Sequence, residues 1–152
     1  MSYDLMVFDP AAAPRDRELF LEWYKYQAQW SEDHGYNDPG FTTAPLRQWY
    51  EAICREYPNM NGPDAVAYDA LDRAADYTIG KNVIYATFSW SLAEEVYKTV
   101  RRLAVDCEVG FYDVSGDEGD GEIYFPGDEL RPPSDGAWRQ IAAEFRDLRN
   151  GN

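Results

Sequence analysis

Basic residues are scarce in this chain of 152 residues. Lys and Arg number 14 against 28 Asp and Glu, which gives a formal net charge of −14. Because nucleic-acid binding depends on Lys and Arg that neutralise phosphates, we expect no nucleic acid as a direct partner, and an anionic membrane is excluded on the same ground. The chain is not a disordered polyanion, since 45% of its residues are hydrophobic and 16% are aromatic. We expect a single folded domain, residues 1–152.

Residues that bind metals or form disulfides are also few. His34 is the only histidine, and the two cysteines, Cys54 and Cys107, are far apart in the sequence. A site with several histidine ligands is therefore impossible, and no cysteine pair has the close spacing of zinc ligands. We expect two free thiols on the apolar faces of helices.

Several sequence motifs of catalysis and targeting are missing. The chain has no G-x-G-x-x-G, no G-x-x-x-x-G-K-[ST] and no G-x-S-x-G, so we expect no cofactor. Its start, MSYDLMVF, lacks a basic segment, and the apolar run ends at Asp9-Pro10. This pattern is typical of neither a signal peptide nor a membrane span, so we expect a cytoplasmic protein.

Hydrophobic periodicity predicts the element order β-α-α-β-β-α-β-β-α. Ser91-Leu92-Ala93-Glu94 reads as a capping box at the start of the third helix, and Gly110 is predicted to close that helix. The predicted strands are 3–8, 76–80, 82–90, 109–114 and 122–126, and the predicted helices are 14–30, 45–57, 91–107 and 134–148.

This order indicates an α+β fold with a mostly antiparallel sheet and helices packed on one of its faces. Without one helix of the first crossover, the order becomes β-α-β-β-α-β, which is the ferredoxin-like (split βαβ) core, here with an added strand and a C-terminal helix. We expect the first strand to lie centrally in the sheet.

Acidic residues are concentrated near the last predicted hairpin. Between Arg102 and Arg131 there is no basic residue, and this stretch of one sign either keeps an edge strand soluble or steers a basic partner. A calcium loop starting at Asp113 is disfavoured, because its sixth position is Glu118 and its twelfth is Tyr124. The nine acids are Asp106, Glu108, Asp113, Asp117, Glu118, Asp120, Glu122, Asp128 and Glu129.

A second acidic segment, Trp30–Pro39, combines carboxylates, aromatic rings and the only histidine. An enzyme could use His34 as a general base with Asp33 or Asp38 to orient it, but no nucleophile or metal motif accompanies them. Aromatic rings beside carboxylates are typical of protein-binding surfaces. We therefore favour a binding protein without enzymatic activity, and keep a small-molecule site or enzyme at this loop, and an acidic adaptor, as alternatives.

Five phrases of the chain resemble those of a group of small, acidic, mostly uncharacterised bacterial cytosolic proteins. They are SYDLMVFDP, WSEDHGYNDP, YPNMNGP, DYTIGKNVIYATFSW and GFYDVSGDEGDGEIYFP. In size, acidity and α+β build the chain is also similar to the immunity proteins of polymorphic-toxin and contact-dependent inhibition systems. That resemblance implies tight binding to a cognate toxin, in which the immunity protein covers the active site or blocks the movement of the toxin.

A toxin that acts on nucleic acids or nucleotides needs a basic cleft, which an acidic protein can occupy in place of phosphate. The expected partner is therefore a toxin with a basic surface. The expected contacts are the hairpin residues Asp113, Asp117, Glu118, Asp120 and Glu122, followed by Trp30, Glu32, Asp33 and Tyr36 of the second acidic segment.

Neutralising the hairpin tip tests this expectation. The triple change D117N/E118Q/D120N should slow association with the toxin and flatten its dependence on salt, because exposed charges act mainly on the association rate. Stopped-flow or surface-based kinetics at several salt concentrations measure both quantities. Unchanged association and protection across salt concentrations would remove the tip from the contact surface.

Overall fold

The computed structural model describes residues 2–32, 35–61, 73–116 and 121–128. The predicted C-terminal helix, the hairpin tip, Asp33 and His34 lie outside these residues. The described elements are β1 (Ser2–Phe8), α1 (Arg17–Gln27), α2 (Ala44–Cys54), β2 (Asp76–Ile79), β3 (Val83–Ser89), α3 (Ala93–Cys107), β4 (Gly110–Tyr112) and β5 (Ile123–Tyr124), with 3₁₀ turns at Pro39–Phe41 and Trp90–Leu92. The fold is α+β, as predicted.

The five strands form one open sheet in the order β2-β3-β1-β4-β5, and every neighbouring pair is antiparallel. In the centre, β1 pairs along its whole length with β3, where Tyr3 lies opposite Phe88, and Met6 of β1 lies opposite Tyr112 of β4. The predicted central position of the first strand and both predicted hairpins are thus confirmed. The ferredoxin-like detail stays a prediction.

Helices pack on both faces of the sheet, so the prediction of one covered face is wrong. Successive strand residues point to opposite faces. Leu5 and Val7 of β1 belong to the core formed with α2 and α3, whereas Met6 and Phe8 join Phe20 of α1 in a second cluster. The physical reason is that β1 is apolar on both faces, and each face needs a cover.

Side chains cap the starts of α1 and α2, where Asp16 and Thr43 occupy the N-cap positions. The Asp16 carboxylate accepts the Leu19 N–H at 3.1 Å, so α1 begins at Arg17, three residues after Pro14. The predicted capping box is wrong, because Ser91 lies in the 3₁₀ turn and Leu92 occupies the N-cap position of α3.

Both cysteines are free thiols, as predicted: Cys107 is buried and Cys54 is half-buried. Within the described ranges, none of the helices combines the length and the apolar character that crossing a bilayer would require.

Contrary to the prediction, Gly110 does not close α3. It is the first residue of β4. The helix ends at Cys107, and Glu108 takes the left-handed conformation with φ of 58°. A Cβ atom on Gly110 would lie 2.1 Å from Cε2 of Phe8. The Phe8 ring is fully buried, with the ring centroids of Phe20 and Phe125 at 5.0 and 5.2 Å. Gly110 is therefore required by the close approach of an immobile ring.

We predict that Gly110→Ala lowers the free energy of unfolding by about 1–3 kcal/mol, because the added methyl group overpacks the Phe8 cluster. Gly35→Ala is the matched control, since a Cβ there meets nothing within 4 Å; its effect should stay within about 0.5 kcal/mol. Urea denaturation measures both. Equal stability of the two variants would contradict the packing argument.

Candidate functional site

The predicted contact residues separate into two groups in the structure. Asp113 and Glu122 flank the tip of the β4–β5 hairpin, whereas Trp30, Glu32 and Tyr36 lie in the loop that follows α1. The other four, Asp33, Asp117, Glu118 and Asp120, lie outside the described residues.

Asp113 is a buried residue of the hairpin, only 3% exposed. Its Oδ1 accepts hydrogen bonds from the Tyr3 hydroxyl at 3.0 Å and from the Gly116 N–H at 3.2 Å. The carboxylate therefore joins β1 to the turn that leads into the hairpin tip.

Glu122 is also buried, at 8% exposure, and forms a two-point ion pair with Arg101 of α3. Nε and one terminal nitrogen of Arg101 each donate to a different Glu122 oxygen at 2.7 Å, and the Tyr97 hydroxyl adds a longer bond of 3.4 Å. Burial alone would lower the pKa of Arg101, but these bonds raise it above its ordinary value. The pair fastens the hairpin to α3.

The burial of Asp113 and Glu122 argues against their predicted role as partner contacts. Each carboxylate is turned into the protein and already satisfied by groups of this chain. A buried carboxylate is retained only with such partners, because desolvation without them is costly. These two residues stabilise the hairpin. The prediction that the hairpin contacts a partner therefore depends on the acids of its tip, Asp117, Glu118 and Asp120.

The loop after α1 is closed by its aromatic residues. Trp30 takes the left-handed conformation with φ of 51°, and its ring packs edge-on against Tyr36 at 5.3 Å and Tyr85 at 6.4 Å. The Tyr36 hydroxyl accepts the Glu32 N–H at 2.6 Å and donates to the Glu32 carbonyl at 3.3 Å. The Tyr36 carbonyl accepts the Ile79 N–H at 2.7 Å, which fixes the loop to the edge of β2.

Tyr85 supports this loop from the sheet. Its hydroxyl donates to Oδ2 of Asp4 at 2.6 Å. Burial, and then this hydrogen bond, raise the pKa of Tyr85 well above its ordinary value. Tyr85 therefore stays protonated, and Trp30 packs on a ring held in place by β1 and β3.

The Glu32 side chain joins the loop to the turn between β2 and β3. Its Oε1 accepts the Lys81 N–H at 3.1 Å, and its Oε2 lies 2.8 Å from where a Cβ on Gly80 would be. Gly80 thus leaves room for the carboxylate. The Thr42 hydroxyl donates to the Lys81 carbonyl at 3.2 Å, so the segment before α2 reaches the same turn.

A cavity of about 220 Å³ opens where the end of α1, the loop and the turn meet. It is lined by Tyr26, Gln27, Ser31, Glu32 and Asn82. Sequence reasoning missed Tyr26, Gln27 and Asn82 as site residues. Two signals were present in the sequence. Gln27 is a polar residue at the three-to-four spacing that Phe20, Trp23 and Trp30 follow, and Tyr26 is a large aromatic residue outside that spacing.

The surface of the described residues is acidic, with ten exposed carboxylates and six exposed cations. Two of these carboxylates, Glu18 and Glu22, belong to α1, which also carries the most exposed large apolar residues, Leu19 at 54% and Tyr26 at 62%. The ten carboxylates are Asp16, Glu18, Glu22, Asp38, Glu51, Glu56, Glu95, Asp106, Glu108 and Asp128.

This arrangement suits binding through carboxylates, amides and aromatic rings. Across residues 2–32, 35–61, 73–116 and 121–128, no three His, Cys, Asp or Glu side chains lie together in a group that could hold a metal ion. His34, the predicted general base of the enzyme alternative, lies outside these ranges.

No protein-family profile, curated protein or solved structure matches the chain.

We predict that Glu122→Gln lowers the free energy of unfolding by about 3 kcal/mol, because it leaves the Arg101 guanidinium, whose side chain is only 11% exposed, without this counter-ion. Glu56→Gln is the matched control: its carboxylate lies 3.9 Å from Arg102 and both side chains are more than half exposed. Its effect should stay below about 1 kcal/mol. Chemical denaturation compares the two, and similar losses would show that the Arg101 pair adds nothing beyond a surface ion pair.

Proposed function

We propose that this protein is a non-enzymatic binding protein, an immunity protein that neutralises a cognate bacterial toxin by covering a basic active site. The observation that carries the proposal is an exposed aromatic side chain, Tyr26, at a cavity that contains Glu32, on a chain with a net charge of −14. The proposal includes a cytoplasmic location, where the toxin would act.

Charge supports this choice of partner. Toxins that cleave or modify nucleic acids or nucleotides need a cleft that attracts phosphate, and an acidic surface is attracted to the same cleft. The exposed carboxylates of α1 and of the other described elements supply that surface.

The contacts that hold Trp30, Glu32 and Tyr36 support a role in tight binding. Trp30, Glu32 and Tyr36 are already fixed by hydrogen bonds and ring contacts within the chain. A surface ordered before association loses less conformational entropy when the partner binds. Phe41, 48% exposed, precedes Thr42, whose hydroxyl donates to the β2–β3 turn.

We also propose the ferredoxin-like interpretation of the core. It is supported by the position of β1 between β3 and β4 and of β2 outside β3. The pairing of α2 and α3 in one apolar core supports it as well, with β5 and α1 as additions.

Two alternatives use the same surface. A small-molecule-binding protein would place its ligand in the cavity beside Glu32, and would show a ligand-dependent rise in melting temperature. An adaptor would present the acidic surface to a host protein and would rescue no intoxicated cell.

Co-expression with the product of the adjacent gene tests the proposal. We expect the neighbouring protein to kill a susceptible bacterium when expressed alone, and survival to return when this chain is present. A harmless neighbour, or the absence of rescue, would contradict the immunity function.

We predict that Tyr26→Ala weakens binding to the toxin by about tenfold or more, because exposed aromatic residues at the centre of an interface contribute most of its energy. Val105→Ala is the control, since Val105 is exposed on α3, which packs on the opposite face of the sheet from α1. Calorimetry on the purified complex measures both. Equal losses for the two variants would move the interface away from α1.

A further inference from the structure

We infer that the cavity at the end of α1 binds an arginine side chain of the partner protein. The identity of the partner rests on the proposed function, whereas the chemistry of the cavity rests on its own residues, Tyr26, Gln27, Ser31, Glu32 and Asn82.

Size limits the ligand. A volume of about 220 Å³ is below the range of roughly 300–1,000 Å³ that is usual for cofactor and drug-sized ligands. A single side chain that enters from the surface fits a space of this size better than a nucleotide does.

The lining favours a cation that carries many donors. Of the described residues that line the cavity, Glu32 alone is charged, while Gln27 and Asn82 carry amide groups and Ser31 a hydroxyl, each with an oxygen that can accept a hydrogen bond. A guanidinium has five N–H donors and no acceptor, so these oxygens complement it. The Lys81 N–H holds this carboxylate through Oε1.

The end of α1 adds negative potential at the same place. Gln27 is the last residue of this helix of 11 residues, and the carbonyls of Tyr26 and Gln27 turn to the following loop, where they accept the N–H groups of Gln29 and Trp30. The carboxyl end of a helix carries partial negative charge, which stabilises a nearby cation.

The Tyr26 ring favours arginine over lysine. It lines the cavity and is 62% exposed, so much of its surface is accessible to a planar group. Guanidinium groups stack on aromatic faces and also bind carboxylates at two points. An ammonium group is not planar and interacts as a point charge. This chain already places Arg15 over Phe125 at 4.7 Å, so such stacking forms on its surface.

NMR titration of the full chain with N-acetyl-arginine amide tests the inference. We expect saturable shifts at millimolar concentration in the side-chain amides of Gln27 and Asn82, and none with the neutral analogue N-acetyl-citrulline amide. Glu32→Gln should weaken the affinity about tenfold, because it removes the charge of the acceptor but keeps an oxygen for the Lys81 N–H. Asn82→Asp should strengthen it, and Glu51→Gln, an exposed change on α2, should leave it unchanged.

Three results would overturn the inference. One is the absence of saturable shifts, and another is binding that Glu32→Gln leaves unchanged. The third is much tighter binding of free L-arginine than of the blocked form, which would make the cavity a site for a free amino acid. None of these readouts uses the toxin, so failure of the co-expression experiment and failure of the arginine site are distinguishable.

Discussion

The architecture depends on β1 being apolar on both faces. Such a strand is stable only in the interior of a sheet with a cover on each side, and it is flanked here by β3 and β4. The core with α2 and α3 covers one face, and the aromatic cluster around Phe8 and Phe20 covers the other. The second cluster holds α1 against the sheet, and α1 in turn carries Tyr26 and leads into the loop of Trp30 and Glu32. The candidate site is therefore positioned by the face of β1 that a sheet with helices on one side only would have left uncovered.

The acidic residues of the chain have two roles: some are buried and stabilise the fold, and others are exposed and give the surface its charge. Among the described acids of the hairpin region, Asp113 and Glu122 are used inside the fold, where hydrogen bonds and the Arg101 ion pair offset the cost of removing them from water. Asp106, Glu108 and Asp128 remain exposed. A count of acids along the sequence thus overstates the charge that this region can present to a partner. The electrostatic surface of the described residues lies as much on α1 and the exposed helices as on the hairpin.

Local patterns predicted the elements well, and long-range contacts account for the errors. The β-branched and aromatic residues of Val83–Ser89 and the turn at Gly80-Lys81-Asn82 are contained within a few residues, and the β2–β3 hairpin followed from them. The burial of Glu122 depends on Arg101, 21 residues earlier, and the cavity depends on Asn82 meeting Ser31 and Glu32. Sequence adjacency brought Trp30, Glu32 and Tyr36 together as one predicted group, but could not supply the turn that completes the cavity. The role of Gly110 was wrongly predicted for the same reason, because a glycine is needed there to leave room for the ring of Phe8, which is distant in the sequence.

Glu32 has two tasks that reinforce one another. Its hydrogen bond to the Lys81 N–H holds the loop to the β2–β3 turn, and the same bond fixes the carboxylate in the cavity before any ligand arrives. Because the side chain is ordered during folding, little further entropy is lost when a cation enters. Exposed carboxylates elsewhere on the surface act differently, since they raise the association rate over long distances and are screened by salt. In the proposed complex, short-range groups such as Glu32 and Tyr26 would act after contact and would set how slowly the complex dissociates. In the proposed binding protein, attraction to a basic partner and recognition of that partner would therefore depend on different groups, and we propose the cavity at the end of α1 as the place of recognition.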